Sequence, residues 1–580
     1  MRHQLFLDHN LAVKIMAKRS LSPVSLPPAK RIHTSDTSRH LMTHFLNFDN
    51  LSDELILCIF SHISFGDLCI TQPTNRNWAR LAGDNELWRS LYLQVYGRTR
   101  LRGAKGFISR LDGREVKPLP GRAKSAEYKD WKWMFRISSN WKRGRCLVEE
   151  PEESLMDVQS ALHSSTLNSH VIGDGGEHII LAGPLTITAS PKLFEKPPIS
   201  IIDQHYRKHT LICEPAEPGP VQITTLALDQ SPPSHGHLSL ACFLSTGEFA
   251  IFEFNATATS HFSRKFYYRP TRRSSRTSNI IRAAYYHPLV VTLANSFSLS
   301  IYDLSSGTVR HTQTLSAFTS YPPASLVLSS PSAVQFKLVI VYSSPVYPRH
   351  WSVGATELLI SRNPPSATPA LAMTPSSHSF TEEFRYPLPS TMTVTATRNI
   401  RAFDVPNGWI DTGALQSMRE QWSRKVFNVA AAQTDGKWVV LAPGDNLDAA
   451  CGRSFWTFPP GVASSALHSP VGLQLYRLVL PTQSNSISAS PPKLNFVRTL
   501  VGQTSPVSAL AVADGRCVSL GGNGGIWVWD LEGGTGAEVA SADETFTDPG
   551  LQSIRGTISF DERRIVSAHA GKVVIRRFDI

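Results

Sequence analysis

From about Cys146 to the C-terminus, short apolar runs rich in β-branched residues alternate with turn residues at near-regular intervals. Runs of this length, bounded by Gly, Pro, Asn, Asp and Ser, are strands rather than helices. The 36 glycines and 39 prolines fit many turns and short strands. The clearest unit is FVRTL (496–500), VSALAV (507–512), RCVS (516–519) and IWVWDL (526–531). Such a four-stranded unit has two apolar faces and cannot bury both by itself, so further copies must stand beside it. Weaker copies are readable at 178–188, 237–254, 280–304, 336–361, 437–480 and 554–580, which makes seven. The stretches 363–379, 411–426, 445–467, 482–494 and 533–550 read as insertions or long loops, mostly rich in Ser, Pro, Gly or charge.

The unit at 496–531 resembles a WD repeat. The usual Gly-His stands as Gly502-Gln503, the Ser as Ser519, the turn Asp as Asn523, and Trp-Asp as Trp529-Asp530. The resemblance implies a β-propeller, with a His-Ser-Asp-Trp hydrogen-bond set made here by Gln503, Ser519, Asn523 and Trp529. It also implies how the ring closes. The last copy lacks a fourth strand, which the segment around Cys146-Leu147-Val148 would supply, leaving no open edge.

Upstream, residues 51–92 form a compact helical module. Leu55, Ile56, Ile59, Phe60 and Ile63 recur at helical spacing. Ser52 is placed to cap that helix, with Asp53 and Glu54 in its first turn. Phe65-Gly66-Asp67 breaks the helix and Asp67 can cap the next, which Pro73 ends. A third helix starts near Asn75 and carries Trp78 and Leu81. A last one after Asp84 carries Leu87, Trp88, Leu91 and Tyr92. This is more apolar surface than so short a unit can bury within itself, which marks a docking module.

The module resembles the F-box in Leu51-Ser52-Asp53-Glu54-Leu55, Asp67-Leu68, Arg76-Asn77-Trp78 and Leu87-Trp88. It is followed by Tyr128-x-x-Trp131-Lys132-x-x-Phe135 and Asn140-Trp141-Lys142-Arg143-Gly144, which look like the connector of F-box proteins that carry a WD-repeat propeller. Trp131, Met134 and Phe135 give it a short apolar helical face, and Gly144 ends it. The expected chain is therefore an α+β multidomain protein, with a leader at 1–46, an all-α F-box at 47–95 and a basic linker with connector helix at 96–145. An all-β propeller, expected to have seven blades, fills 146–580. The resemblance implies a substrate receptor of a Skp–cullin–F-box ubiquitin ligase. Leu51, Leu55, Ile56, Ile59, Phe60, Leu68, Trp78, Leu87 and Trp88 would meet the Skp adaptor and through it the cullin. The propeller would hold a protein substrate.

Charge adds one further anomaly and one candidate site. Fifteen basic residues face four acidic ones between Arg98 and Arg145, so +11 of the chain's +12 lies there. The basic balance is thus local, and no RNA-binding motif accompanies it, so nucleic acid is not the expected partner. The alternative function is an interaction scaffold that binds RNA or chromatin through this linker. A second basic run, Arg264, Lys265, Arg269, Arg272, Arg273, Arg276 and Arg282, is free of acidic residues and lies on a connection between two expected blades. Guanidinium groups donate paired hydrogen bonds to phosphate, so these arginines are the candidate substrate site, for a phosphorylated or acidic peptide.

The seven cysteines are scattered, with no C-x-x-C pair, which fits a reducing compartment, nucleus or cytoplasm. Lys18-Arg19 and Lys30-Arg31 in the Ser/Pro-rich leader have the spacing of a bipartite nuclear signal. No run is long and apolar enough to span a membrane. No phosphate-binding glycine loop, zinc-binding His pair or nucleophile elbow occurs, and Glu382-Glu383 reads as a solvated pair. No catalytic residue, metal or cofactor is expected.

Overall fold

The computed structural model describes residues 51–96, 130–150, 176–232, 237–255, 262–270, 279–332, 334–346, 350–363, 391–403, 411–444, 471–480, 492–541, 556–569 and 572–580. The leader, the basic linker up to 129, Arg272, Arg273, Arg276, Glu382-Glu383, and the insertions at 364–379 and 445–467 lie outside the described residues. The chain clusters into two compact units, Met1–Ile56 and Leu57–Ile580. Of the first, residues 51–56 are described. They open helix α1 (Asp53–Phe60), where the Ser52 carbonyl accepts from the Leu55 and Ile56 N–H groups.

Three further short helices follow, α2 (Phe65–Thr71), α3 (Arg76–Ala82) and α4 (Asn85–Val95). Each starts on a side chain that satisfies an otherwise orphaned N–H. Asn75 and Asp84 cap α3 and α4 as the spacing predicts. The cap of α2 is Ser64, three residues earlier than the expected Asp67. Its Oγ accepts from Asp67 N (3.2 Å) and donates to Asp67 Oδ2 (2.7 Å), so Asp67 orients the capping hydroxyl. A fifth helix, α5 (Trp131–Arg143), runs from Asp130 at its N-cap to Gly144, which is left-handed at φ +66°.

Among the described residues the strands form seven four-stranded antiparallel sheets, the blades of a β-propeller. Blades one to six take 178–212, 223–268, 280–316, 321–401, 429–500 and 507–540, each with its strands in simple sequence order. Blade seven takes 557–577 and receives its fourth strand from Leu147–Glu149, with Leu147 opposite Arg577 and Glu149 opposite Ile575. The expected closure is present. Two of the stretches read as insertions carry regular structure. Residues 411–426 hold a helix, α6 (Thr412–Ser423), and 533–550 contain the outer strand of blade six, Thr535–Ala540. That strand is Gly- and Ala-rich with few β-branched residues, so its composition hides it.

The core is a ring of seven clusters, one at each junction between neighbouring blades. Side chains alternate across a strand, so one run feeds two junctions. In blade four, Leu338 and Ile340 pack toward blade three while Val339 and Val341 pack toward blade five. A second strand can therefore be buried on both faces, as in Trp438–Pro443, where every residue is buried. In blade six Ser519 Oγ donates to Gln503 Oε1 (2.6 Å) and accepts from Trp529 Nε1 (3.4 Å). Asn523 turns instead to Ser505 Oγ (2.6 Å) and Thr504 Oγ1 (3.3 Å), so three of the four expected WD-type residues are linked.

Polar latches join neighbouring blades at the turns between first and second strands. Asp229 Oδ1 accepts from His287 N (3.0 Å) between blades two and three. Arg564 Nη2 donates to Gly183 O and Leu185 O (both 2.9 Å) between blades seven and one. Between blades five and six, Asp435 Oδ2 accepts from Gly515 N (2.8 Å), while Oδ1 accepts from Lys437 N (2.9 Å) and Trp438 N (2.7 Å). Asp435 is fully buried, and burial pushes its carboxyl above the usual range against the pull of these donors. Asp435→Asn would set an amide N–H₂ against Gly515 N–H. Leaving one buried donor unmet costs about 1–3 kcal/mol, read as a lower urea midpoint with unchanged slope.

Ring closure gives a second expectation. A chain beginning at residue 150 lacks Leu147–Glu149 and leaves the strand Lys572–Arg577 as an open edge, a template for aggregation. A chain beginning at 130 keeps that strand and α5. Light scattering on heating is expected to show aggregation of the first at a temperature where the second stays monomeric. Identical curves would contradict this closure.

Candidate functional site

The residues expected to meet an adaptor divide into two groups. Ile56, Phe60, Leu68, Leu87 and Trp88 are buried and hold the module together. Phe60 meets Trp78 edge-on (5.7 Å), and Trp88 Nε1 donates to Ala82 O (2.7 Å) at the end of α3. Leu51 and Trp78 are half-buried. Leu55 (55 % exposed) and Ile59 (46 %), one turn apart on α1, face solvent, as does Ile70 (69 %) on α2. Helical spacing locates an apolar face but does not say which half of it turns inward, and Ile70 escaped notice because it lies outside the first helix's repeat.

What the module is attached to is decided by α5. Its first half packs on the helical module. Phe135 meets Phe65 (5.2 Å), Trp88 (5.4 Å) and Tyr96 (5.3 Å), and Trp131 meets Tyr92 (5.4 Å). Trp131 N donates to Asn85 Oδ1 (2.9 Å), and Lys132 Nζ donates to Gln72 Oε1 (2.9 Å). Its second half packs on the propeller. Ile137 and Trp141 join the core cluster of blades six and seven.

Trp141 is the pivot. Its ring stacks on Phe578 (4.1 Å, 14°), the Arg516 guanidinium lies 4.9 Å from it, and Nε1 donates to Glu562 O (3.0 Å). Asn140 Nδ2 donates to Phe578 O (2.8 Å), and Arg563 lies over Trp133 (4.9 Å). The C-terminal residues thus form a socket for a helix more than 400 positions away. Trp131 and Phe135 were legible as its apolar face. Ile137 and Trp141 were not assigned to it, because they serve a second contact rotated around the same helix.

The basic connection is only partly described. Arg264 is exposed with its guanidinium 5.2 Å from the Tyr267 ring, and Arg269 is paired with Glu217. Arg282 Nε donates to Ala324 O (3.0 Å) in the next blade. Arg264 sits near the opposite end of its strand from Arg269, on the order of 17 Å away for five extended residues. Arg272, Arg273 and Arg276 lie outside the described residues. Among the described residues, no group of three or more His, Cys, Asp or Glu could hold a metal ion, and no helix is long and apolar enough to cross a membrane.

The coupling through α5 is testable. Trp141→Ala removes a buried indole, a loss of about 3–5 kcal/mol. At Gly144 a Cβ would stand 2.0 Å from Glu538 O, in addition to its left-handed φ, so Gly144→Ala displaces the end of α5. Both variants are expected to speed amide exchange and proteolysis across 131–143. Protection equal to the wild type would contradict the seating of α5 on the propeller through Trp141.

Comparison with known proteins bears on both parts. Residues 48–94 match the F-box-like family, and residues 209–417 match the family described as F-box protein pof12 beta-propeller. No curated protein matches in sequence. Similar solved structures include the β-propeller domain of Myceliophteria thermophila Cps50 (Swd1), at 9 % identity and TM-score 0.35, covering 71 % of this chain and 98 % of that one. Another is the WD40 β-propeller domain of Doa1, at 12 % identity and TM-score 0.33, covering 71 % and 95 %. The chain thus carries an F-box-like helical module at 48–94 ahead of a seven-bladed β-propeller, of which residues 209–417 match the F-box protein pof12 beta-propeller family.

Proposed function

We propose that the protein is the substrate receptor of a Skp–cullin–F-box ubiquitin ligase, working in the nucleus or cytoplasm. The observation that carries this reading is α5, which is packed on the helical module at one end and on the propeller at the other. A receptor of this kind acts by position. It docks on the Skp adaptor through the F-box, and its propeller holds a protein substrate near a ubiquitin-charged conjugating enzyme. Holding a substrate lysine there raises its effective concentration at the thioester. A flexible tether would dilute that gain, whereas a packed helix keeps it. F-box-like and propeller domains are kinds that typically bind partners, and no step of the reaction is assigned to residues of this chain.

In this reading the adaptor is met by the solvent-facing apolar residues Leu55, Ile59 and Ile70. The buried members of the expected set hold the module in shape. Replacing the three by alanine should leave the fold within about 0.5 kcal/mol per site, since exposed positions tolerate change. Each side chain buried against a partner contributes about 1.5–3 kcal/mol, so the triple variant is expected to bind purified Skp adaptor at least about a hundredfold more weakly. Isothermal titration on folded proteins checks it. Undiminished adaptor binding by the triple variant would overturn this docking face, and a wild-type chain that fails to bind adaptor would overturn the receptor reading.

A further inference from the structure

An aromatic patch lies at one end of blade four, where the connections from blade three and into blade five meet. Phe318, on the first connection, is 89 % exposed. Tyr321 Oη donates to Phe318 O (3.3 Å), and its ring meets Trp351 edge-on (5.4 Å). Trp351 exchanges backbone hydrogen bonds with Val426 (2.7 and 2.9 Å), which draws the second connection alongside. There Phe427 lies against His350 (4.7 Å). Tyr321 and Phe427 are 42 % and 40 % exposed. Strand register places these residues at the same end of the sheet, with Tyr321 opposite Ser343, Val346 opposite His350 and Gly354 opposite Arg401.

Aromatic side chains left to solvent next to one another mark interaction surfaces, and aromatic residues dominate binding hot spots. The charge around them narrows the partner. Arg401 is exposed and reaches Thr319 Oγ1 (3.4 Å). Lys425 Nζ sits 4.0 Å over Trp422, and Arg424 lies 4.6 Å over Phe496. The segments 317–323, 343–346, 350–354, 400–403 and 424–428 contain these three cations and no Asp or Glu. A surface of exposed rings bordered by positive charge suits an anionic partner with an apolar anchor.

We propose that this patch receives an extended segment of the substrate in which an aromatic or large aliphatic side chain is flanked by carboxylates or phosphates. The anchor lies among Phe318, Tyr321 and Phe427, and the anionic flank meets Arg401 and Lys425. The inference rests on the receptor reading and names the class of peptide it takes.

The test uses the full chain bound to Skp adaptor and fluorescein-labelled ten-residue peptides on a Gly/Ser background. One set carries Phe flanked by glutamates and a second carries Phe flanked by phosphoserines. Control sets replace Phe by Ala or the acids by Lys. Fluorescence anisotropy is expected to show at least about tenfold tighter binding of one or both acidic Phe sets than of the controls. Which of the two binds tighter assigns the anion. Phe318→Ala with Phe427→Ala, and separately Arg401→Glu with Lys425→Glu, are expected to erase that preference while adaptor binding persists. Acidic Phe peptides that bind no better than controls, or bind both variants as well as wild type, would overturn the patch. So would sedimentation showing that the patch joins two copies of the chain and that Phe318→Ala separates them. In each case retained adaptor binding leaves the receptor reading standing, whereas a wild-type chain that fails to bind adaptor overturns that reading instead.

Discussion

Each blade of this propeller has two apolar faces, and neither is buried until another blade covers it. That constraint decides most of the structure. It lets a second strand be buried without alternation, as in Trp438–Pro443, because odd and even positions serve different neighbours. It forbids an unfinished ring, since the first and last blades would each expose a face and an edge. Closure comes from Leu147–Glu149 on Lys572–Arg577, so the chain that enters the propeller also completes it.

Closure by the entering strand fixes the connector as well. Gly144 ends α5 three residues before Leu147, and Trp141 is seated on Phe578, immediately beyond the strand that Leu147–Glu149 covers. The helix therefore leaves the ring at one place. Its other end is held by Phe65, Trp88, Tyr92 and Tyr96. Aromatic rings suit both contacts because they fill large, flat volumes with few rotatable bonds, so little entropy is lost in fixing them. Two aromatic sockets thus fall on one 13-residue helix.

The two ends of the propeller differ in chemistry. At the turns between first and second strands, Asp229, Asp435 and Arg564 are bonded to backbone groups of the neighbouring blade, and Asp561 holds Arg564 in place. Their hydrogen-bonding capacity goes into holding blades in register. At the opposite end of blade four, rings and cations are left facing solvent. A surface whose polar groups are already spent has little left with which to recognise a partner, whereas exposed rings and open charges have.

The sequence by itself determined the order of parts and the closing strand and pointed to seven blades, a number that the strand pairing then fixed. It could do so because strand period, turn residues and the WD-like unit at 496–531 are local properties, and two-sided burial converts a count of strands into a ring. It also placed the caps of α3 and α4, since a capping side chain acts within three residues. Thr535–Ala540 stayed hidden because Gly and Ala carry little strand preference and pair only by position. Tertiary structure alone decided which apolar residues face out. Leu55 and Ile59 share a helix with Ile56 and Phe60 and differ from them only in what lies opposite. It alone decided that Trp141 would stack on Phe578, and that Tyr321 and Phe427 would lie against the neighbouring residues Trp351 and His350. These contacts join residues that no local period relates, so they exist only once the ring has brought its blades together.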